Sequence, residues 1–181
     1  ISLGLVGSEM CIRDRNNAAA MDIVAACSGF LYGLSLANSM ILTGQARYVL
    51  VIGAEILTQY VDYTDRKTCV LFGDGAGAAV LGPVEGNRGI LGAKIRSDGR
   101  YEEQLFSPGG GTRRPPSATT LAAGDHFFKM RGNELFKVAV RSMAEISREV
   151  LEQAGHRAED IDLFIPHQAN QRITEAVADR L

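Results

Sequence analysis

The stretch Met21–Ala37, MDIVAACSGFLYGLSLA, decides how the rest of the chain is read. It joins an apolar run with the look of a strand to an apolar run with helical spacing. At the junction stands Cys27, followed at once by Ser28 and Gly29. From Ser28 onward, Phe30, Leu31, Leu34, Ala37, Met40 and Ile41 recur at the interval that keeps residues on one helix face, and Gly44 supplies a stop. RYVLVIGAE, residues 47–55, comes next: a continuous run rich in Val, of the kind that forms a strand covered on both faces. Strand-like run, helix and buried strand in succession point to an α/β chain.

Working outward toward the C-terminus, TCVLFGDGAGAAVLGPV (68–84) sets two short apolar runs around a glycine-rich turn, and GILGAKIRSDG (89–99) reads as a further strand. SPGGGTRRPPSATT (107–120) has three consecutive glycines and two consecutive prolines, the composition of an exposed, mobile loop, and it is the natural internal boundary. From Gly132 to Ala154, Leu135, Phe136, Ala139, Met143, Ile146, Val150 and Leu151 return every three or four residues with charged residues between them. This predicts a helix ended by Gly155. AEDIDLFIPHQ (158–168) reads as a short strand closed by Pro166, and ANQRITEAVADRL (169–181) as one more helix. Helix, glycine and strand thus occur at 28–55 and again at 132–167, a loose echo of the sort α/β chains repeat generically.

Toward the N-terminus, residues 1–15 (ISLGLVGSEMCIRDR) show neither the helical nor the strand period and do not lead into NNAAAMDIVAAC, which reads as a loop entering a strand. The expectation is a leader foreign to the fold, with Cys11 irrelevant to function. The divisions expected are therefore 1–15 leader, 16–106 a first half bearing Cys27, 107–120 a mobile loop, and 121–181 the start of a second half.

Composition narrows the classes of function. The 181 residues are 46% hydrophobic, enough for a real core, and 19 basic against 21 acidic residues leave a net charge of -2, which offers no global attraction for nucleic acid or an anionic membrane. Cys11, Cys27 and Cys69 are far apart, with no C-x-x-C pair and no histidine placed to complete a zinc site. No metal is expected, and a reducing, cytoplasmic setting is. No window holds 18 consecutive apolar residues, so no membrane span is expected.

Two residues stand out for chemistry. Free cysteine is among the most buried residue types, so Cys27 by spacing alone is equally a packing residue and a nucleophile. Its place at a helix start, where the dipole stabilises a thiolate, and its small neighbours Ala25, Ala26 and Gly29 favour the second. His167, in FIPHQAN, ends a predicted strand, where ligand crevices form in α/β sheets, although a lone histidine is more often a hydrogen-bonded structural residue. His126 and His156 look ordinary. GDGAGA (73–78) fits G-x-G-x-x-A, but the apolar run after it is short and ends at Pro83 instead of opening a helix, so nicotinamide and flavin binding are rejected.

Taken together, AACSGF, YTDRKTCVLFGDGAGAAVLG, FKMRGNELFKVAV and IPHQANQRI, in that order, resemble β-ketoacyl-acyl-carrier-protein synthase III, a condensing enzyme of the thiolase superfamily, from about Ala18 to Leu181. The resemblance implies a thiolase-like α/β fold, layered αβαβα in the full enzyme and here incomplete at both ends. It implies Cys27 as the acyl-accepting nucleophile and His167 as hydrogen-bond donor to the malonyl thioester. Arg66, Met130, Gly132, Phe136, Ala169, Asn170 and Arg172 are implied at the pantetheine and coenzyme A tunnel or its mouth, with Arg172 facing acyl-carrier protein and Phe72 near the acyl pocket. Partners implied are an acyl-coenzyme A, acyl-carrier protein and, in the full-length enzyme, a second copy. Coenzyme A thioester is substrate and no cofactor is needed.

The family's catalytic Asn lies downstream of His167, beyond Leu181, and Asn170 is not it. The expectation is an internal fragment, inactive as given and poorly soluble because apolar faces and strand edges lack their covers. Three other readings compete: a synthase III-like enzyme of secondary metabolism with another starter, a Cys-His hydrolase, and a non-catalytic truncated scaffold.

Overall fold

The computed structural model describes residues 18–181. The expected leader and Cys11 lie outside them. A one-turn 3-10 segment, Ala26–Ser28, leads directly into helix α1, Gly29–Leu42. Helix α1 ends where the sequence places its stop. Gly44 takes a left-handed φ of 73°, its N–H donates to the Ile41 carbonyl, and the Gln45 N–H reaches back to Met40.

Strand β1, Val49–Ile56, pairs antiparallel along its whole length with β2, Asp74–Leu81, in a register that sets Val51 opposite Ala79, Gly53 opposite Gly77 and Ile56 opposite Asp74. Helix α1 lies on one face of this pair, and glycine lets it come close. A Cβ on Gly33 would stand 2.8 Å from Val51 Cγ1, and one on Gly53 would stand 3.5 Å from the Phe30 ring. Val51 is buried by that contact, while Leu50, Ile52 and Ile56 on the alternate positions are exposed. Only one face of β1 is covered among the described residues, against the expectation of two.

After β2 a 3-10 segment, Gly99–Gln104, leads into a minimal two-residue pairing of β3, Leu105–Phe106, with β4, Lys129–Met130, which joins the end of the expected first half to the second. Between them, residues 107–117 are exposed but tied down. The Gly109 N–H donates to the Asp125 carbonyl at 2.8 Å, Arg114 pairs with the Asp125 carboxylate at 2.5 Å, and Ser117 and Thr120 form a capping box on the short helix α2, Ala118–Ala122. The stretch is a loop held by these bonds that runs into a short helix.

Helix α3, Gly132–Ala154, has the bounds its periodicity predicts, closed by Gly155 at φ 73° with the His156 N–H returned to Leu151. Helix α4, Gln171–Ala178, packs against it. Val140 and Ala144 of α3 meet Ile173 and Val177 of α4 in the main buried cluster, edged by Phe136, Met143 and Phe164. Within the first half the Tyr32 hydroxyl donates to the Arg96 carbonyl, and the halves meet where Lys94 and Arg96 pair with Glu149 of α3 and where Gly92 lies against Val150.

Three expected strands do not form. Residues 21–25, 89–98 and 161–165 carry strand-like sequence but have no ladder partner among the described residues. Their apolar side chains stand open: Val24 is 96% exposed, Leu163 74% and Ile165 72%. A strand exists only as one side of a pair, so apolar content without a neighbour leaves irregular backbone. The helix–glycine–strand echo fails at its second strand for the same reason. GDGAGA is the reverse case: predicted as a turn, it is the first part of β2, while the 68–72 run before it forms turns.

Candidate active site

Cys27 sits in the middle of the 3-10 turn, and the backbone there is strained. Ala26 has φ 46°, the one non-glycine residue with positive φ among the described residues. A side-chain-bearing residue held in that region costs on the order of 1–3 kcal/mol and persists only where its surroundings enforce it. Here the Ser28 N–H bonds back to the Ala25 carbonyl at 3.1 Å and the Gly29 N–H to Ala26, closing a tight loop around the sulfur. No side chain caps α1 and no acidic residue stands in its first turn, so no residue of the helix itself compensates the positive end behind Cys27.

Cys27 is exposed by surface area, yet enough of the chain surrounds its sulfur that desolvation pushes the thiol above an ordinary cysteine's pKa. The hydrogen bond from its own backbone N–H pulls the other way, and the Glu55 carboxylate on β1 adds to the upward shift. An acceptor carbonyl seated at the turn would meet the helix start, whose N–H groups favour developing negative charge.

His167 is exposed in the irregular segment before α4. Asn170 is the N-cap of α4, its side-chain oxygen accepting the Ile173 N–H at 3.0 Å, which leaves its NH2 to donate elsewhere. Ala169 is exposed beside it. The Arg172 guanidinium lies 5.9 Å from the centre of the Phe136 ring, so these two residues, 36 apart in the sequence, come together across the α3–α4 contact. Met130 reaches Gly132, where an added Cβ would lie 3.6 Å from Met130 Cε.

Phe72 is half-buried with its ring 5.1 Å from that of Phe128. Arg66 projects from the turns that follow Asp62. No hydrogen bond joins Cys27 to His167 among the described residues. Glu55, Phe128 and the conformation of Ala26 were not singled out from the sequence. Glu55 and Phe128 are ordinary residue types far from Cys27 in the chain, and alanine gives no sign of positive φ.

No group of three or more metal-ligating side chains occurs among the described residues, and no described helix is long and apolar enough to cross a membrane. With Cys27 at a strained helix start on the α1–β1–β2 unit, the fold is of the thiolase-like α/β class. The crystal structure of 3-oxoacyl-[acyl-carrier-protein] synthase III from Aquifex aeolicus superposes with a TM-score of 0.79 at 48% identity, over 91% of this chain and 48% of that one.

The chain belongs to the 3-oxoacyl-[acyl-carrier-protein (ACP)] synthase III family. The family's main region matches residues 21–99 and its C-terminal region matches residues 151–181. The β-ketoacyl-[acyl-carrier-protein] synthase III of Caldanaerobacter subterraneus is 51% identical over 178 residues, which are 96% of this chain and 54% of that protein. The priming β-ketosynthase of the R1128 polyketide biosynthetic pathway is 37% identical with a TM-score of 0.81, over 92% of this chain and 48% of that one. The chain spans about half the length of the curated relatives it matches.

Proposed function

We propose that the chain carries the acyl-accepting cysteine and the active-site histidine of a β-ketoacyl-acyl-carrier-protein synthase III that starts type II fatty-acid synthesis. The observation behind this reading is the strained turn that presents Cys27 at the start of α1 in a chain of this family. The Cys27 sulfur, giving up its proton, attacks the carbonyl of acetyl-coenzyme A, and coenzyme A departs as a thiolate that takes up a proton in turn, so one thioester is exchanged for another at nearly equal free energy. The malonyl group on acyl-carrier protein then loses carbon dioxide, and the resulting enolate carbon attacks the acyl-cysteine. The new carbon–carbon bond expels the Cys27 thiolate and yields a β-ketoacyl-carrier protein.

In this reading His167 donates a hydrogen bond to the malonyl thioester oxygen while charge builds there. Phe72 borders the acyl group, and Arg66, Met130, Gly132, Phe136, Ala169 and Asn170 border the pantetheine path. Arg172, on the outer end of this set, meets acyl-carrier protein. The enzyme works in the cytoplasm as a homodimer, and residues 16–106 and 121–181 belong to its two thiolase-like halves.

The test is to express the natural open reading frame in full, incubate it with radiolabelled acetyl-coenzyme A and map the peptides. Label is expected on the peptide holding Cys27 and lost in Cys27→Ser. Label elsewhere, or none, rejects the mechanism. The likeness to a polyketide priming synthase favours a second reading, a synthase III-like enzyme of secondary metabolism with a starter other than acetyl. A series of acyl-coenzyme A primers separates the two, since the first requires acetyl to be the best substrate.

A further inference from the structure

The GDGAGA run contributes neither the cysteine nor the histidine, and its acidic residue has a specific partner. Asp74 opens β2, and its carboxylate accepts two hydrogen bonds from one residue: the Thr58 N–H at 2.9 Å and the Thr58 hydroxyl at 2.8 Å. Thr58 belongs to the 3-10 turn Leu57–Tyr60 that leaves β1, and this turn has no side-chain cap of its own. Because Ile56 pairs with Asp74 at the end of the ladder, the carboxylate reaches over that end and grips the turn just beyond it.

The turn's last residue carries the hold onward. The Tyr60 carbonyl accepts the Phe128 N–H at 2.9 Å, and the two rings stand 5.6 Å apart. The Phe128 ring also lies against Phe72, so one residue of the second half is clasped by two of the first. Phe128 runs straight into β4, Lys129–Met130, and then into Gly132 at the start of α3.

We propose that Asp74 is a positioning residue for substrate: through Thr58 and Tyr60 it holds Phe128, and with it the Met130–Gly132 wall, in place against the unit that carries Cys27. This rests on the proposed function, in which Met130 and Gly132 border the pantetheine path. A bond to an ionised acceptor is stronger than a neutral one, and a turn gripped at both N–H and hydroxyl can neither slide along the ladder nor rotate away from it.

The experiment compares Asp74→Ala, Asp74→Asn and Thr58→Val in the natural open reading frame expressed in full. Three readouts are taken: Cys27 acetylation against acetyl-coenzyme A concentration, Cys27 alkylation by iodoacetamide, and hydrogen exchange at the Phe128 amide. Asp74→Ala is expected to raise the half-saturating acetyl-coenzyme A concentration about tenfold, the scale of losing one charge-assisted hydrogen bond. The maximal acetylation rate and the alkylation rate stay within about twofold, because iodoacetamide needs the thiol and no pantetheine path.

Asp74→Asn, whose amide oxygen still accepts the Thr58 N–H, recovers most of the loss, and Thr58→Val falls between. Exchange at Phe128 speeds up in Asp74→Ala. Unchanged half-saturation in a protein that acetylates, or equal losses of acetylation and alkylation, would overturn the proposal. If the unsubstituted protein does not acetylate at Cys27, the functional reading fails, and unchanged exchange at Phe128 then separately refutes the hold by Asp74.

Discussion

Replacing Gly33 with alanine tests the contact that seats the Cys27 helix on its sheet. Two effects oppose each other. In a helix interior alanine is favoured over glycine by about 1 kcal/mol. Against this, the new methyl would sit 2.8 Å from Val51 Cγ1, closer than carbon atoms approach, while Val51 Cγ2 lies at 4.0 Å. Val51 is buried under the helix, so the contact is relieved only by an off-rotamer valine or by lifting α1, at a typical cost of about 1–3 kcal/mol. The steric term wins, and Gly33→Ala is expected to destabilise by about 1 kcal/mol net.

Val51→Ala alone removes two buried methyl carbons and costs about 2 kcal/mol. The double variant should be less destabilised than the sum of the two single ones by about 1–2 kcal/mol, since the methyl that clashes is gone. Urea unfolding followed by circular dichroism gives all four midpoints, with unchanged slopes as the check on two-state behaviour. A neutral or stabilised Gly33→Ala, or strict additivity in the cycle, would refute the close α1–β1 packing.

Glu55→Gln removes a carboxylate that raises the Cys27 pKa, so iodoacetamide should alkylate Cys27 faster at about pH 8 in that variant. In the unsubstituted chain the alkylation rate should still be climbing where an ordinary cysteine's has levelled, because a raised pKa keeps the thiolate fraction low until higher pH. Asn170→Ala loses the cap of α4 and about 1 kcal/mol of stability by denaturant midpoint, whereas Asn170→Ser, another capping residue, retains most of it. Val177→Ala, at a side chain with no exposure in the α3–α4 cluster, should cost about 2 kcal/mol in the same assay.

The parts of the fold legible in the sequence are those whose stabilisation is local or one-faced. The apolar stripe of α3, the stops at Gly44 and Gly155 and the start of α4 after Ala169 each depend on residues within a turn or two, and each lies close to where the sequence places it. The first part of β2, Asp74–Gly77, was hidden because its small residues carry no strand signal. It is a strand because β1 lies beside it, with Gly53 across from Gly77 and Ala54 across from Ala76. The runs around Ile95 and Leu163 fail in the opposite sense, having strand composition and no ladder partner among the described residues.

At the site, Cys27 alone stays balanced between packing and chemistry. Its distinction comes from distant motifs and from a backbone angle at Ala26 that alanine does not advertise. Glu55 shapes the thiol across a fold that brings β1 beside the turn, a proximity no local pattern encodes.

The φ of 46° at Ala26 bears on how accurately the sulfur is aimed. Glycine would relieve the strain but would also populate neighbouring wells, letting the cysteine that follows swing through a wider arc. Alanine has one narrow basin near this angle, so once the fold forces it there the direction of the Cys27 side chain is confined to a small cone. Strain is here the companion of angular precision: the turn gives up some stability, and under the proposed function a carbonyl arriving at the helix start would meet the sulfur in nearly the same orientation each time.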